Sequence, residues 1–274
     1  MVKRVWKREF HLDHFWLEHR QAEDFLLCQW QSSPSVHAGY ALYRCLLAGY
    51  FVATLALSAL SSAGPKWLVY LTNWGYLACT LQAVLSAGFL VARLARDRGR
   101  DGEADPAPEP MRLVYKVFWA SHTIAVVVAY GVTVTYWLTI YNPSKHRLDA
   151  VNVLVHAGNS AVMTLDLWMV RHPMRLLHAY LPLSFTLSFF LFSVTYFLAG
   201  GTSRDGTPYI YAMLDWQRPG RTILCCTVGL VFLLGMHVAA WGLSLLRRRL
   251  HQSLEPRREH AWPHDTVPSP GSSV

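Results

Sequence analysis

Six long apolar blocks decide what this chain can fold into. Of its 274 residues 53% are hydrophobic and only 15% are charged, and the apolar residues gather in blocks instead of following amphipathic spacing. A block of about 20 apolar residues is long enough to cross the roughly 30 Å hydrocarbon layer of a membrane as a helix. A soluble fold would have to bury all six blocks at once. They cover residues 41–61, 67–92, 113–140, 150–170, 176–198 and 222–246.

The conformation of these blocks follows from their solvent. Lipid offers no hydrogen bonds to the backbone, so each spanning segment has to satisfy its own N–H and C=O groups as a helix. The sequence therefore predicts an all-α, polytopic membrane protein with a bundle of six transmembrane helices. The fourth block is the least apolar. We divide the chain into a cytoplasmic or interfacial segment 1–40, the bundle 41–246 and a disordered cytoplasmic tail 247–274.

The basic residues alternate between the two sides of this predicted bundle. Counted over the loops and span ends, 19 of the 25 Lys and Arg residues lie on the side of the amino terminus and 6 on the other side. The positive-inside rule then places both termini in the cytoplasm. We expect the protein itself in the plasma membrane or the endoplasmic reticulum. This topology explains the net charge of +8. Attraction of the basic residues to anionic lipids of the inner leaflet is a secondary effect, so we expect membrane lipids as partners. Nucleic-acid binding is not expected.

Residues 1–40 mix charges with aromatic side chains, among them Phe10, Phe15, Trp16, Phe25 and Trp30. Aromatic residues with basic neighbours suit the headgroup region, so the segment either lies along the inner membrane surface or forms an ordinary cytosolic arm.

Metal and cofactor motifs are not evident in the sequence. The three histidines His11, His14 and His19 follow no zinc spacing, and the five cysteines form no C-x-x-C pair. We therefore expect neither a metal nor a cofactor. One alternative is a haem between His122 in the third span and His237 in the sixth. A transporter is another alternative, but repeated broken helices, which such proteins share, are missing from the pattern.

A polar stripe runs along the fourth block, "VNVLVHAGNSAVMTLDLWMV". Steps of four, three, four and three place its members on one face of a helix, where polar groups are costly in lipid. The stripe either forms a functional site or joins helices by hydrogen bonds. We expect its last member, Asp166, to make a polar contact near the cytoplasmic side with Arg171 or Arg175. The members are Asn152, His156, Asn159, Met163 and Asp166.

Several motifs occur in the order found in one family. They are "CQWQ" at 28–31, "YLTNWGYLACTLQAVLSAG" at 70–88, "HAGNS" at 156–160 and the loop "AGGTSRDGTPYIYAMLDWQRPGR" at 199–221. Together they resemble the rolling-stone proteins over nearly the whole chain. That family is similar to the androgen-induced and androgen-dependent membrane proteins, which hydrolyse fatty acid esters of hydroxy fatty acids. The rolling-stone name itself is attached to myoblast fusion and muscle development.

The resemblance implies a candidate catalytic pair. In the hydrolase branch a threonine in an "LT" motif of the second span acts with a histidine in an "NHxxHT" motif. Leu71-Thr72 matches the first motif, so Thr72 is the candidate nucleophile. "HAGNS" matches the second motif in part: His156 aligns with its first histidine without gaps, leaving Asn159 at the catalytic place, or with its second after a short shift.

The predicted topology places these two residues at one depth. Thr72 follows Lys66 by six residues and His156 follows Asp149 by seven, so at 1.5 Å per residue both lie roughly 9–10 Å below the same non-cytoplasmic surface. A neutral imidazole can activate a threonine hydroxyl near pH 7. The amides of Asn152 and Asn159 could support the histidine or an oxyanion.

Two functions follow from these observations. The first is threonine-dependent hydrolysis of a lipid ester, which the membrane would deliver laterally. The second is a non-enzymatic role in cell–cell fusion or muscle development through the non-cytoplasmic loop around residues 209–216, whose protein partners are unknown. The aromatic residues of this loop form either a lid on the bundle or part of an aromatic belt.

Overall fold

The computed structural model describes residues 9–33, 35–61, 64–98, 110–144 and 148–254. Six helical segments follow one another along this part of the chain, as the apolar blocks predict. The only β-type pairing among the described residues is a bridge between Cys28 and Val170. The helices are α1 (Ala38–Ser61), α2 (Leu71–Arg98), α3 (Leu113–Thr135, continued by a π turn Tyr136–Ile140), α4 (Ala150–Val153, a π turn Leu154–Gly158, and Asn159–Met169), α5 (Tyr180–Leu198) and α6 (Pro219–Leu254).

Short 3₁₀ turns connect or precede the helices. They are Leu12–Phe15, Ala22–Phe25, Pro65–Val69, Leu176–Ala179 and Ala212–Leu214.

Five stretches are long and apolar enough to cross a membrane, which supports an integral membrane protein. α4 is helical where the fourth span was predicted, but it does not belong to these five. Its π turn divides it, and the longest regular stretch, Asn159–Met169, has only 11 residues. The six-span arrangement therefore stays a prediction. The five stretches are Ala38–Ser61, Leu71–Arg98, Leu113–Ile140, Leu176–Leu198 and Pro219–Leu254.

α3 lies at the centre of the bundle and contacts α2, α4, α5 and α6. Glycines permit its closest approaches. A Cβ atom on Gly75 of α2 would lie 2.8 Å from a methyl group of Val128, and one on Gly131 of α3 would lie 2.9 Å from Leu233 of α6. Small residues at such crossings allow close backbone contact, which is how helices pack when lipid removes the hydrophobic drive between them.

Residues 9–33 cover one end of the bundle, and we call them the cap. Phe25 is only 1% exposed, although its sequence context suggested the headgroup region. The backbone of Cys28 bridges to Val170 after α4, and Trp30 Nε1 donates to the carbonyl oxygen of Trp168 at 2.8 Å. The described part of segment 1–40 is therefore docked on the helices.

The loop of residues 199–218 covers the opposite end, which we call the long-loop end; the end under the cap is the cap end. Lys66 Nζ donates to Thr202 Oγ1 at 2.6 Å and to the carbonyl oxygen of Ser203 at 2.9 Å. Trp216 Nε1 donates to Ser193 Oγ of α5 at 3.0 Å. The loop is thus fixed to the bundle by side-chain contacts.

The carboxyl-terminal helix is longer than predicted. α6 continues to Leu254, past the boundary that we placed at residue 246. The rest of the predicted disordered tail lies outside the described residues.

Candidate functional site

Thr72 lines a cavity at the long-loop end. The residue lies in the first turn of α2, which begins at Leu71, one residue beyond the 3₁₀ turn Pro65–Val69 and its capping residue Tyr70. The cavity has a volume of about 120 Å³ and is lined by residues of α2, α3, α5, α6 and the long loop. Its wall is almost wholly apolar. The hydroxyl-bearing residues in the wall are Thr72, Thr135, Tyr136, Thr186 and Tyr211.

A tyrosine from the long loop lies beside Thr72. The Tyr211 hydroxyl accepts a hydrogen bond from the backbone N–H of Leu71 at 3.1 Å, and Tyr211 lines the same cavity as Thr72. Burial raises the pKa of Tyr211 to about 12, so the phenol is neutral at physiological pH. A neutral phenol can donate a hydrogen bond to a developing negative charge next to Thr72.

His156 contacts the cavity wall indirectly, because it packs against Tyr136, which lines the cavity. Its imidazole stacks on the ring of Tyr136, with centroids 3.5 Å apart and planes 4° from parallel. Each of the two residues lies on a π turn, in Leu154–Gly158 and Tyr136–Ile140 respectively. Such turns frequently occur at functional sites. They were not predicted, because a periodicity of 3.6 residues does not reveal a single widened turn.

The two predicted supporting amides both contact α3. Asn152 Nδ2 donates to the Tyr136 hydroxyl. Asn159 is 4% exposed, and its Oδ1 accepts from Thr133 Oγ1 at 3.1 Å. In this conformation the amides join α4 to α3, which was the second of the two roles considered for the stripe.

A buried ion pair connects α1 to α4 at the cap end. Asp166 and Arg44 have fully buried side chains, and Arg44 Nη1 lies 2.7 Å from Asp166 Oδ1. The Tyr43 hydroxyl donates to the same carboxylate oxygen at 3.1 Å. The expected contact of Asp166 with Arg171 or Arg175 is therefore wrong. The predicted partner was wrong because the Asp166 side chain faces the interior of the bundle, where Arg44 lies, and not the surface.

Arg171 and Arg175 contact the cap instead. Arg171 pairs with Asp24 at 3.3 Å, and Arg175 donates to the carbonyl oxygens of Trp16 and Glu18 at 2.9 and 2.8 Å.

Further polar groups surround the ion pair, and we call the set Arg44, Asp166, His122, His172 and Arg247 the buried charge cluster. His122 Nε2 lies 3.3 Å from Asp166 Oδ2, and the His122 and His172 rings are 4.8 Å apart. Arg247 is 0% exposed and donates to the carbonyl oxygens of Leu167 at 2.6 Å and His172 at 3.1 Å. The cluster thus involves α1, α3, α4 and α6.

Sequence reasoning missed this cluster. Arg44 and Arg247 were counted as basic residues of the membrane surface, but both are buried. A signal was available, because Arg44 falls inside an apolar block, and an ionisable residue within a span needs a partner. The only acidic residue inside a predicted apolar block away from the loops is Asp166.

Four of the histidines considered for metal or haem lie next to protein groups. His237 Nε2 lies 3.2 Å from the carbonyl oxygen of Arg175 and 3.1 Å from that of Leu176, while His122 faces Asp166. His11 and His19 face Asp13 and Asp24 in the cap. Within the described ranges no three His, Cys, Asp or Glu side chains form a group that could hold a metal ion.

Comparison with known proteins defines the family. The sequence profile described as "Protein rolling stone" matches residues 2–261, which is nearly the whole chain. The chain belongs to the rolling stone family. One rolling stone relative, Protein rolling stone of Drosophila melanogaster, is 26% identical over 252 residues, covering 90% of this chain and 91% of the relative. No solved structure matches the chain. The family resemblance predicted from the motifs is thereby confirmed.

Proposed function

We propose that this rolling stone protein hydrolyses a membrane lipid ester at its long-loop end, with Thr72 as nucleophile and His156 as base. The substrate class is fatty acid esters of hydroxy fatty acids. One observation carries the proposal: Thr72 and Tyr136 line the same apolar cavity, and His156 stacks on Tyr136.

The proposed reaction uses groups already near the cavity. The Thr72 hydroxyl attacks the ester carbonyl while His156 takes its proton, and the neutral Tyr211 phenol donates to the oxyanion. His156 returns the proton to the leaving alcohol, and water then releases the acid from Thr72. Proton transfer requires His156 to reach Thr72 past the Tyr136 ring, so movement of Tyr136 is part of the proposal.

The size of the cavity limits what it can hold. At about 120 Å³ it is comparable with the roughly 150 Å³ engineered cavity that binds benzene. It therefore accommodates an ester group with a few carbons, and the rest of the substrate would stay in the surrounding lipid. This is consistent with a site inside a bundle that receives its substrate from the membrane.

The proposal includes six spans with both termini in the cytoplasm, in the plasma membrane or the endoplasmic reticulum. The polar stripe of α4 is directed inward, with Asp166 on Arg44 and Met163 Sδ 3.6 Å from Gln82 Nε2. Val153 and Leu165 of the same helix are 42% and 55% exposed, which suits contact with lipid. Without the buried Arg44 and Arg247 the basic residues still divide 17 to 6 (19 − 2 against 6) between the two sides.

The hydrolase proposal predicts which cavity residues are essential. With the purified full chain in lipid nanodiscs, Thr72→Ala and His156→Ala should each lower hydrolysis of a branched fatty ester at least about 100-fold, because nucleophile and base act together. Thr135→Ala is the matched control, since it removes another hydroxyl from the same cavity wall. A fluorophosphonate probe should label Thr72, and Thr72→Ser should retain labelling.

Turnover that persists in both essential variants would remove these two residues from the mechanism. Equal loss in the Thr135→Ala control would instead indicate that any change of the cavity wall disturbs the bundle.

A second candidate is a non-enzymatic role in cell–cell fusion or muscle development through the long loop. The observation that favours it is the fixed attachment of this loop by Lys66, Trp216 and Tyr211, which presents one defined surface. In a cell-fusion assay, Tyr209→Ala and Trp216→Ala should then reduce fusion, whereas Thr72→Ala should not. A fusion defect confined to Thr72→Ala would contradict this role.

A further inference from the structure

A long apolar groove lies between α2 and α5 on the membrane-facing side of the bundle, with α3 as its floor. Its volume is about 750 Å³, within the range of roughly 300–1,000 Å³ that is usual for ligand sites. Leu77 and Leu81 on its edge are 40% and 48% exposed. The groove is therefore open to lipid and much larger than the cavity beside Thr72.

The groove extends over about one leaflet. Its α5 wall runs from Phe185 through Phe192 to Tyr196, and the 11 helical steps between Phe185 and Tyr196 rise about 16.5 Å at 1.5 Å each. Half of the roughly 30 Å hydrocarbon layer is about 15 Å. One acyl chain of a bilayer lipid, standing along the membrane normal, matches this length.

Two cations lie at the mouth of the groove, on the long-loop end. Arg204 stacks on the ring of Tyr70, with Cζ 5.2 Å from the centroid, and Tyr70 directly follows the groove residues Leu68 and Val69. Among the described residues no acceptor is hydrogen-bonded to the Arg204 guanidinium, so its donors face solvent.

Lys66 lies two residues before Leu68, with which the groove lining begins. Its ammonium group donates to Thr202 and Ser203, and a third N–H remains for another acceptor. Asp205 directly follows Arg204 and is exposed, so Lys66, Arg204 and Asp205 together carry two positive charges and one negative charge.

We propose that this groove binds a phosphate-bearing diacyl lipid, with one acyl chain between α2 and α5 and the phosphate on Arg204 and Lys66. A guanidinium and an ammonium at a headgroup-level mouth recognise phosphate, and the apolar wall recognises the chain. The site is distinct from the Thr72 cavity. Trp74 lines the groove, Phe189 lines the cavity, and the two rings form the wall between them with centroids 5.4 Å apart.

Lipid binding can be measured by native mass spectrometry of the full chain released from detergent. Phosphatidylglycerol and phosphatidylcholine should each bind at one retained site, whereas diacylglycerol with the same chains should be lost, because it has no phosphate. Inorganic phosphate at the same concentration should not displace the bound lipid.

Two surface variants test separately how the mouth and the groove contribute to lipid binding. Arg204→Gln should weaken phospholipid binding about tenfold through loss of a charge-assisted contact, and Leu77→Trp should weaken it by a similar factor by filling the groove. Arg218→Gln is the control for a cation of the same loop. Leu234→Trp on α6 is the control for bulk, since Leu234 is 41% exposed and Leu77 is 40% exposed.

Equal retention of diacylglycerol, displacement by inorganic phosphate, or equal weakening by the control variants would each overturn the proposal. All four variants change exposed or half-exposed side chains, and an unchanged thermal midpoint would establish that they fold. Hydrolysis by Thr72 is read out separately, so loss of lipid binding in Leu77→Trp with normal turnover would leave the hydrolase proposal intact.

Discussion

The two ends of the bundle are held together by different chemistry. At the cap end, α1 and α4 are joined by an ion pair between Arg44 and Asp166, both fully buried. At the long-loop end, α3 and α4 are joined by neutral groups: the Tyr136 ring stacks on His156, and Thr133 donates to Asn159. The long-loop end also holds the cavity beside Thr72.

This difference shows how one bundle can be rigid and adaptable at once. Separating a buried charge pair is costly because each charge would be left without a partner in a medium of low dielectric constant. Hydrogen bonds between neutral groups of membrane helices contribute only about 0.6–2 kcal/mol each. We therefore expect the cap end to fix the helices and the long-loop end to adjust around a bound molecule.

The largest effect is expected from breaking the ion pair. Asp166→Ala leaves Arg44 buried without its carboxylate, which should lower the free energy of unfolding by about 3–5 kcal/mol. Denaturant titration of the purified protein in detergent micelles measures this change.

The double variant Arg44→Met with Asp166→Leu is the control, because it removes both charges and keeps apolar volume. It should recover most of the lost stability. If Asp166→Ala cost less than 1 kcal/mol, the cap end would not be the rigid one.

A smaller effect is expected from pH, again at the cap end. Burial lowers the pKa of His172 well below its ordinary value of 6.5, and nearby positive groups lower it further. The folded protein therefore keeps this histidine neutral while the unfolded chain takes up a proton as the pH falls below 6.5. Stability should fall in that range by about 1.4 kcal/mol per pH unit for this group.

His172→Phe should make the pH dependence shallower by one proton while keeping the ring contact with Phe25, whose centroid lies 5.2 Å away. Unfolding free energies measured at pH 7 and pH 5 provide the comparison. An unchanged slope would show that His172 does not contribute to the pH dependence.

The smallest effect is expected at the long-loop end. Thr133→Val removes the hydroxyl that bonds to Asn159 with little change of shape, and should cost about 1 kcal/mol or less. Measured in the same micelles as Asp166→Ala, it gives the contrast between the two ends directly. A cost as large as that of Asp166→Ala would remove the contrast.

Much of the fold could be predicted from the sequence because lipid imposes a simple constraint on it. Apolar blocks of spanning length have to be helical, and the described helices begin and end close to them. Three members of the polar stripe of α4, Asn159, Met163 and Asp166, are buried on the side of the helix that the spacing predicts, whereas Asn152 and His156 are half-buried.

The pairings within the fold could not be predicted in the same way. Periodicity shows which face of a helix is polar but not which neighbour it meets, so Asp166 was assigned to a nearby arginine in sequence instead of Arg44, 122 residues away. The site near Thr72 depends on Tyr211 and Tyr136, which belong to a loop and a π turn. Neither feature follows a regular repeat.

The cap has a consequence for biosynthesis. The carbonyl oxygen of Trp16 accepts a hydrogen bond from Arg175, 159 positions later in the chain, and Trp30 donates one to Trp168, 138 positions later. The cap thus has no complete docking surface until synthesis has passed residue 175. Docking of the cap therefore follows the synthesis of α1 to α4 and closes this end of the bundle only afterwards.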